Sequence, residues 1–295
     1  MSWLFGILLC ALLGPAALKP LDDSSEHGVK PGVKSTNCTC GWANRQGKRI
    51  VGGTTTGEFE YPMMAGVVYR DTNILFCGAT IITQRHVVTA AHCSTAFVDK
   101  PHQIGIHVGH HNYQKVKSKS KLKDVEKVIV HEKFDAKTVK YDIALFKLKE
   151  KLSIDLKIGP ACLPTSRQQM VGKIVKVLGW GLTKNKGKQS DILLKADIEI
   201  RPWEYCTYTN IYMEVFDKHQ ICTFTSNKDS CSGDSGGPLL WLDPETNRYT
   251  LVATTSYGSN CGHNPAVNSE VAYFMPWIQK VIADTDPSMK TCAKV

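Results

Sequence analysis

Residues 229–238 read DSCSGDSGGP. Ser235 stands between Asp234 and a Gly-Gly pair, and glycines let a backbone turn sharply and let another chain approach closely. A serine hydroxyl is a poor nucleophile unless a base takes its proton and a third group orients that base. The stretch holds two carboxylates, Asp229 and Asp234, but no histidine, so the base must come from elsewhere. Upstream, TAAHC (89–93) supplies His92 at the end of an apolar run, and YDIALFKL (141–148) supplies Asp142 at the head of another. One histidine among ten is more often structural than catalytic. Three signals in the order His, Asp, Ser point instead to a nucleophilic serine with a remote base and a remote orienting carboxylate.

The chain around these anchors predicts an all-β frame. Short apolar or alternating runs are punctuated by Gly, Pro and Asn: MAGVVY (64–69), GATIIT (78–83), HVVTAAH (86–92), IGIHVG (104–109), KVIVH (127–131), DIALFKL (142–148), KIVKVLGWG (173–181), ILLKADIEI (192–200) and LVATTSYG (251–258). Many short strands at this spacing indicate a barrel or sandwich. A helix is expected only at 272–284, with Pro276 near its start. With 295 residues, 42% hydrophobic and 21% charged, the chain is long enough to bury a sizeable core and has the composition of a globular protein. There is no solenoid repeat.

The first residues, MSWLFGILLCALLGPAALKP, carry an apolar run too short to span a bilayer that ends in small residues, which reads as an export signal over 1–16. Residues 20–49 are polar, with Pro, Gly and Ser, and read as a linker or pro-segment. Ten cysteines remain after Cys10, an even number that argues for disulfides in an oxidising compartment. No Cys or His spacing fits a zinc site, so neither metal nor cofactor is expected. Asn37-Cys38-Thr39 is a glycosylation sequon.

TAAHC, DIAL, GDSGGP and RIVGG together resemble the trypsin/chymotrypsin family of serine proteases over residues 50–285. C-x-C-G, YPMMAG, GPACLP and the cysteine near the end are most similar to secreted insect proteases of venom and haemolymph. The resemblance implies two antiparallel six-stranded β-barrels with a C-terminal α-helix and an active site in the cleft between them. It implies His92 as general base and acid, Asp142 as the carboxylate fixing its tautomer, and Ser235 as nucleophile. The N–H groups of Gly233 and Ser235 would form the oxyanion hole, worth roughly 3–4 kcal/mol per donor. Cleavage after Arg49 would free the ammonium of Ile50 to pair with Asp234, so residues 17–49 would be a pro-segment and 50–295 the peptidase domain of a zymogen. Asp229 would form the floor of a pocket for Arg or Lys, walled by Ser256, Gly258 and Ala266. Tyr257 stands where a tryptophan is common, and Ala266 where trypsins usually carry glycine.

The same resemblance pairs Cys77 with Cys93, Cys206 with Cys222 and Cys231 with Cys261. It ties Cys162 to Cys38 or Cys40 and leaves the other of these for Cys292. The expected partners are peptide substrates and protein inhibitors, with no nucleic acid, no membrane span and a monomeric state. A catalytically silent homologue acting as a binding protein is the alternative. Net charge is +9, and residues 50–295 carry 30 basic and 24 acidic groups. In KVKSKSKLK the lysines Lys115, Lys117, Lys119, Lys121 and Lys123 alternate, and an extended chain would put all five on one face. That face reads either as an exosite for acidic or sulfated partners or as a solvated strand surface.

Overall fold

The computed structural model describes residues 28–44, 54–115, 122–183, 187–207 and 219–295. The segment 1–27, the Arg49–Ile50 bond, and Lys117, Lys119 and Lys121 lie outside them. A two-residue strand β1 (Thr54–Thr55) precedes six strands: β2 (Met64–Tyr69), β3 (Leu75–Ile81), β4 (His86–Thr89), β5 (Ile104–Val108), β6 (Lys123–Val130) and β7 (Ala144–Leu148). These close antiparallel into a barrel in the order β2-β3-β4-β7-β6-β5. The chain continues through β8 (Ile174–Gly179), β9 (Leu194–Arg201), a short helix α1 (Trp203–Thr207), β10 (Gln220–Thr223), β11 (Pro238–Asp243), β12 (Arg248–Gly258) and β13 (Ala266–Glu270), and then helix α2 (Val271–Thr285). Strands β9-β10-β13-β12-β11-β8 form the second barrel, closed by the β8–β9 pair, and β1 adds to β9.

The barrels share a core as well as having one each. In β2, Ala65 and Val67 face the interior of the first barrel with Ile81, Ile106 and Phe146. Met64 and Val68 face the other way, into a cluster with Leu145, Leu178, Trp180 and Leu240 that joins the two barrels. A strand buried on both faces reads as a nearly continuous apolar run, which is why MAGVVY lacks strict alternation. Helix α2 packs on the same cluster through Val271, Phe274, Met275, Ile278, Val281 and Ile282, one stripe at helical spacing. Pro276 lies inside this helix rather than at its first turn.

Five disulfides brace the molecule: Cys38–Cys292, Cys40–Cys162, Cys77–Cys93, Cys206–Cys222 and Cys231–Cys261. The open choice for Cys162 thus falls to Cys40. Segment 28–44 runs as a belt along the surface and is bonded through its backbone. Gly32 N and Lys34 N donate to the carbonyls of Thr246 and Glu245 (2.8 Å each), Asn37 N to Ala293 (3.0 Å), and Gly41 N to Pro160 (2.8 Å). Asn37 is exposed. Lys115 closes a short 3-10 turn and Lys123 opens β6, so the ends of the lysine run belong to different local structures.

Candidate active site

Three loops bring the sequence-predicted residues together where the barrels meet. His92 follows β4, Asp142 precedes β7 and Ser235 precedes β11. The His92 backbone N–H donates to Asp142 Oδ1 at 2.8 Å, and His92 Nδ1 lies 2.8 Å from Oδ2. A carboxylate only accepts, so Nδ1 carries the hydrogen and the neutral ring leaves Nε2 as an acceptor. Asp142 is fully buried, and Ser256 Oγ also donates to its Oδ2 at 2.5 Å. Ser269 Oγ donates to its main-chain carbonyl at 2.7 Å. A buried charge met by three donors is tolerable where an unpaired one is not. Burial would push the His92 pKa down, but the hydrogen bond and charge of Asp142 outweigh it and hold the pKa above 6.5.

Ser235 is held by its backbone. Gly78 N donates to its carbonyl at 2.8 Å, and that oxygen lies 3.7 Å from Cys93 Sγ, the residue after His92. Its hydroxyl makes no hydrogen bond among the described residues; in unliganded sites such pairs are often open and close on substrate. Gly236 turns the chain at φ +76°, and a Cβ there would sit 2.1 Å from Thr89 Oγ1, so only glycine fits. The backbone N–H groups of Gly233 and Ser235 have no protein acceptor among the described residues, whereas Asp234 N and Gly236 N are bonded to Cys231 and Thr255 carbonyls. Two unoccupied donors beside a serine can stabilise a developing oxyanion.

The two remaining carboxylates sit apart from the histidine. Asp234 is buried; its Oδ1 accepts from Gly181 N (2.7 Å) and its Oδ2 from Cys231 N (2.9 Å). It packs so tightly on β8 that a Cβ at Gly179 would lie 1.8 Å from Oδ1. Asp234 makes no ion pair among the described residues. Burial, helped by the charge of Asp229, raises its pKa to about 6 against the two N–H donors. Asp229 is half-buried and accepts from Ser230 N (2.8 Å) and Gly262 N (3.1 Å). Burial raises its pKa to about 6 as well, those donors opposing. A cavity of about 630 Å³ opens beside both, lined also by Gly179, Gly181, Cys231 and Gly262.

The expected wall residues lie on the ends of β12 and β13. Gly258 pairs with Ala266 and Tyr257 with Val267. Ala266 is buried, and a Cβ on Gly258 would meet its methyl at 3.3 Å. Ser256 is buried too, and its hydroxyl turns to Asp142. That contact, like those of Ser269 and Gly78, carries no sequence signal, because each partner is more than a hundred residues away.

Two closed antiparallel barrels with a buried aspartate paired to a solvent-facing histidine, and a serine at their junction, define the class: a chymotrypsin-like serine hydrolase site. The chain belongs to the trypsin family of serine proteases, whose family model, Trypsin, matches residues 50–278. It is 38% identical over 268 residues to venom serine protease 34 of Apis mellifera, covering 88% of this chain and 64% of that protein's length. It is 34% identical to the venom serine protease of Polistes dominula, covering 83% and 88% of the two chains. Trypsin-1 of Astacus astacus is 32% identical, covering 78% and 98%.

Proposed function

We propose that the protein is a secreted serine endopeptidase, made as a zymogen and cleaving after Arg or Lys. The observation that carries the chemistry is the fully buried Asp142 held on His92 Nδ1 beside Ser235. His92 Nε2 takes the Ser235 hydroxyl proton as Oγ attacks the peptide carbonyl. The N–H groups of Gly233 and Ser235 hold the resulting oxyanion. His92 then passes its proton to the leaving amine, and water repeats the sequence on the acyl-enzyme. Asp229 supports the choice of substrate, since a half-buried carboxylate that meets hydrogen-bond donors but no cation among the described residues favours a cation.

Activation rests on Asp234. An unpaired buried carboxylate next to a cavity, close to the oxyanion donors, fits the ammonium released at Ile50 by cleavage after Arg49. Residues 1–16 then act as an export signal, and 17–49 stay attached to the peptidase domain 50–295 through Cys40 and Cys38. The five disulfides and the venom relatives support an extracellular setting.

Limited tryptic cleavage of the purified chain, removal of the trypsin, and reaction with a fluorophosphonate test this directly. Ser235 is expected to label only after cleavage, and the Arg49→Gln chain to remain silent. Arg and Lys amides are expected to be cleaved far faster than the Phe amide. No labelling would leave a binding homologue; a Phe preference would overturn the pocket assignment.

A further inference from the structure

The residue before Asp142 holds an uncommon conformation. Tyr141 has φ +55°, in the left-handed region that bulky L side chains avoid unless their surroundings keep them there. The chain turns tightly at this point: Ile143 N donates to the Tyr141 carbonyl at 2.8 Å, across Asp142. Asp142 is thus the middle residue of a closed turn. The direction in which its carboxyl leaves the backbone follows from the conformation of its neighbour.

The Tyr141 ring supplies the restraint. It stacks on two imidazoles, His131 with centroids 5.2 Å apart at 22° and His219 at 4.2 Å and 28°. His131 directly follows β6 and His219 directly precedes β10, so one residue from each barrel holds the ring. Phe274 of α2 meets all three rings edge-on, at 5.3 Å from His131, 6.2 Å from Tyr141 and 6.0 Å from His219. His131, His219 and Phe274 are buried, and packed interiors leave such rings little room to shift. Lys133 Nζ lies 5.7 Å from the Tyr141 centroid, and the Tyr273 ring lies 6.4 Å away. Burial holds the His219 pKa down to about 4 and lowers that of His131, whereas His92 is raised. Both stacked imidazoles are therefore mostly neutral where His92 titrates. A rotation at Tyr141 would swing the Asp142 carboxyl away from the His92 N–H and Nδ1, each now 2.8 Å from it.

We propose that Tyr141 is a positioning residue, whose ring, stacked on His131 and His219, holds the left-handed turn that aims the Asp142 carboxylate at His92. The role serves the peptidase reading above and rests on it.

Two measurements on the trypsin-cleaved chain test it. In a Ser235→Ala background with isotopically labelled histidine, NMR reads the protonation midpoint of His92 without any turnover. Tyr141→Gly accepts the same φ but has no ring, and its midpoint is expected to fall below that of Ser235→Ala alone. Tyr141→Phe keeps the ring and is expected to keep the midpoint. With Ser235 in place, kcat on an Arg amide is expected to fall about tenfold to a hundredfold in Tyr141→Gly while KM holds, and to recover in Tyr141→Phe. Should Tyr141→Gly not fold, His219→Leu removes one face of the stack and leaves the 131–143 segment as it is, and the same fall in midpoint is expected. An unmoved midpoint in the folded Gly or Leu variant, or a Phe variant that falls with them, would overturn the proposal. The expected midpoints in a protein that cleaves no amide would overturn the peptidase reading and leave the positioning of Asp142 by Tyr141 standing.

Discussion

Asp142 receives His92 N–H, His92 Nδ1 and Ser256 Oγ, so its charge is held by three donors, two from the residue after β4 and one from β12. This fixes which ring nitrogen of His92 is free and raises its affinity for a proton. The mechanism proposed above needs the neutral His92 ring, so activity is expected to fall as pH drops through a midpoint above that of an ordinary histidine. Asp142→Asn removes both the hydrogen bond to a carboxylate and its charge, the two causes of that elevation. The acid limb of kcat/KM is therefore expected to move down, and kcat at neutral pH to drop roughly 10³–10⁴-fold. A pH–rate profile on an Arg amide checks both, and an unmoved limb would separate His92 from Asp142.

The Asp234 loop and the end of β8 act as one element, because Gly179 and Gly181 lie against the carboxyl with no room for a side chain. In the uncut chain the Asp234 carboxyl titrates near 6, against an ordinary 3.8. The folded state then keeps a proton that the unfolded chain has lost, so this stabilising contribution is present below pH 4 and lost as pH rises to about 6. The loss is on the order of 2–3 kcal/mol. Urea unfolding of Arg49→Gln and Arg49→Gln/Asp234→Asn is expected to show a difference that shifts in favour of Asn between pH 4 and 6 and then levels. A difference flat in pH would mean that the carboxyl is not buried unpaired. Elements also differ in how readable they are. β2 and β5 stand out as apolar runs, but β10 and β13 do not. In β13, Asn268 and Ser269 are buried polar residues whose partners, Thr223 Oγ1 and the Asp142 carbonyl, come from other strands and loops. Glu270 is likewise buried and paired with Arg167. A strand stabilised by such remote bonds has no hydrophobic period to read.

At the scale of the molecule, two disulfides one residue apart fasten the belt to different places, the 162 region and the C-terminal tail. After cleavage at Arg49, non-reducing electrophoresis is expected to give one band for the wild type and for Cys38→Ser/Cys292→Ser. A released peptide is expected only when Cys40→Ser/Cys162→Ser is added. Release from the first variant would mean that Cys40 and Cys162 are not joined in solution. The sequence alone determined the residue types of the site, their order and the all-β texture, because strand periodicity and glycine turns are local properties. The separate roles expected for Asp229 and Asp234 came from the resemblance to the trypsin family, because the local sequence offers three carboxylates and does not rank them. Only the tertiary structure decided that Ser256 turns its hydroxyl to Asp142 and that Cys40 rather than Cys38 meets Cys162. Each of these joins residues from separate strands and loops, and such contacts exist only once both barrels have closed.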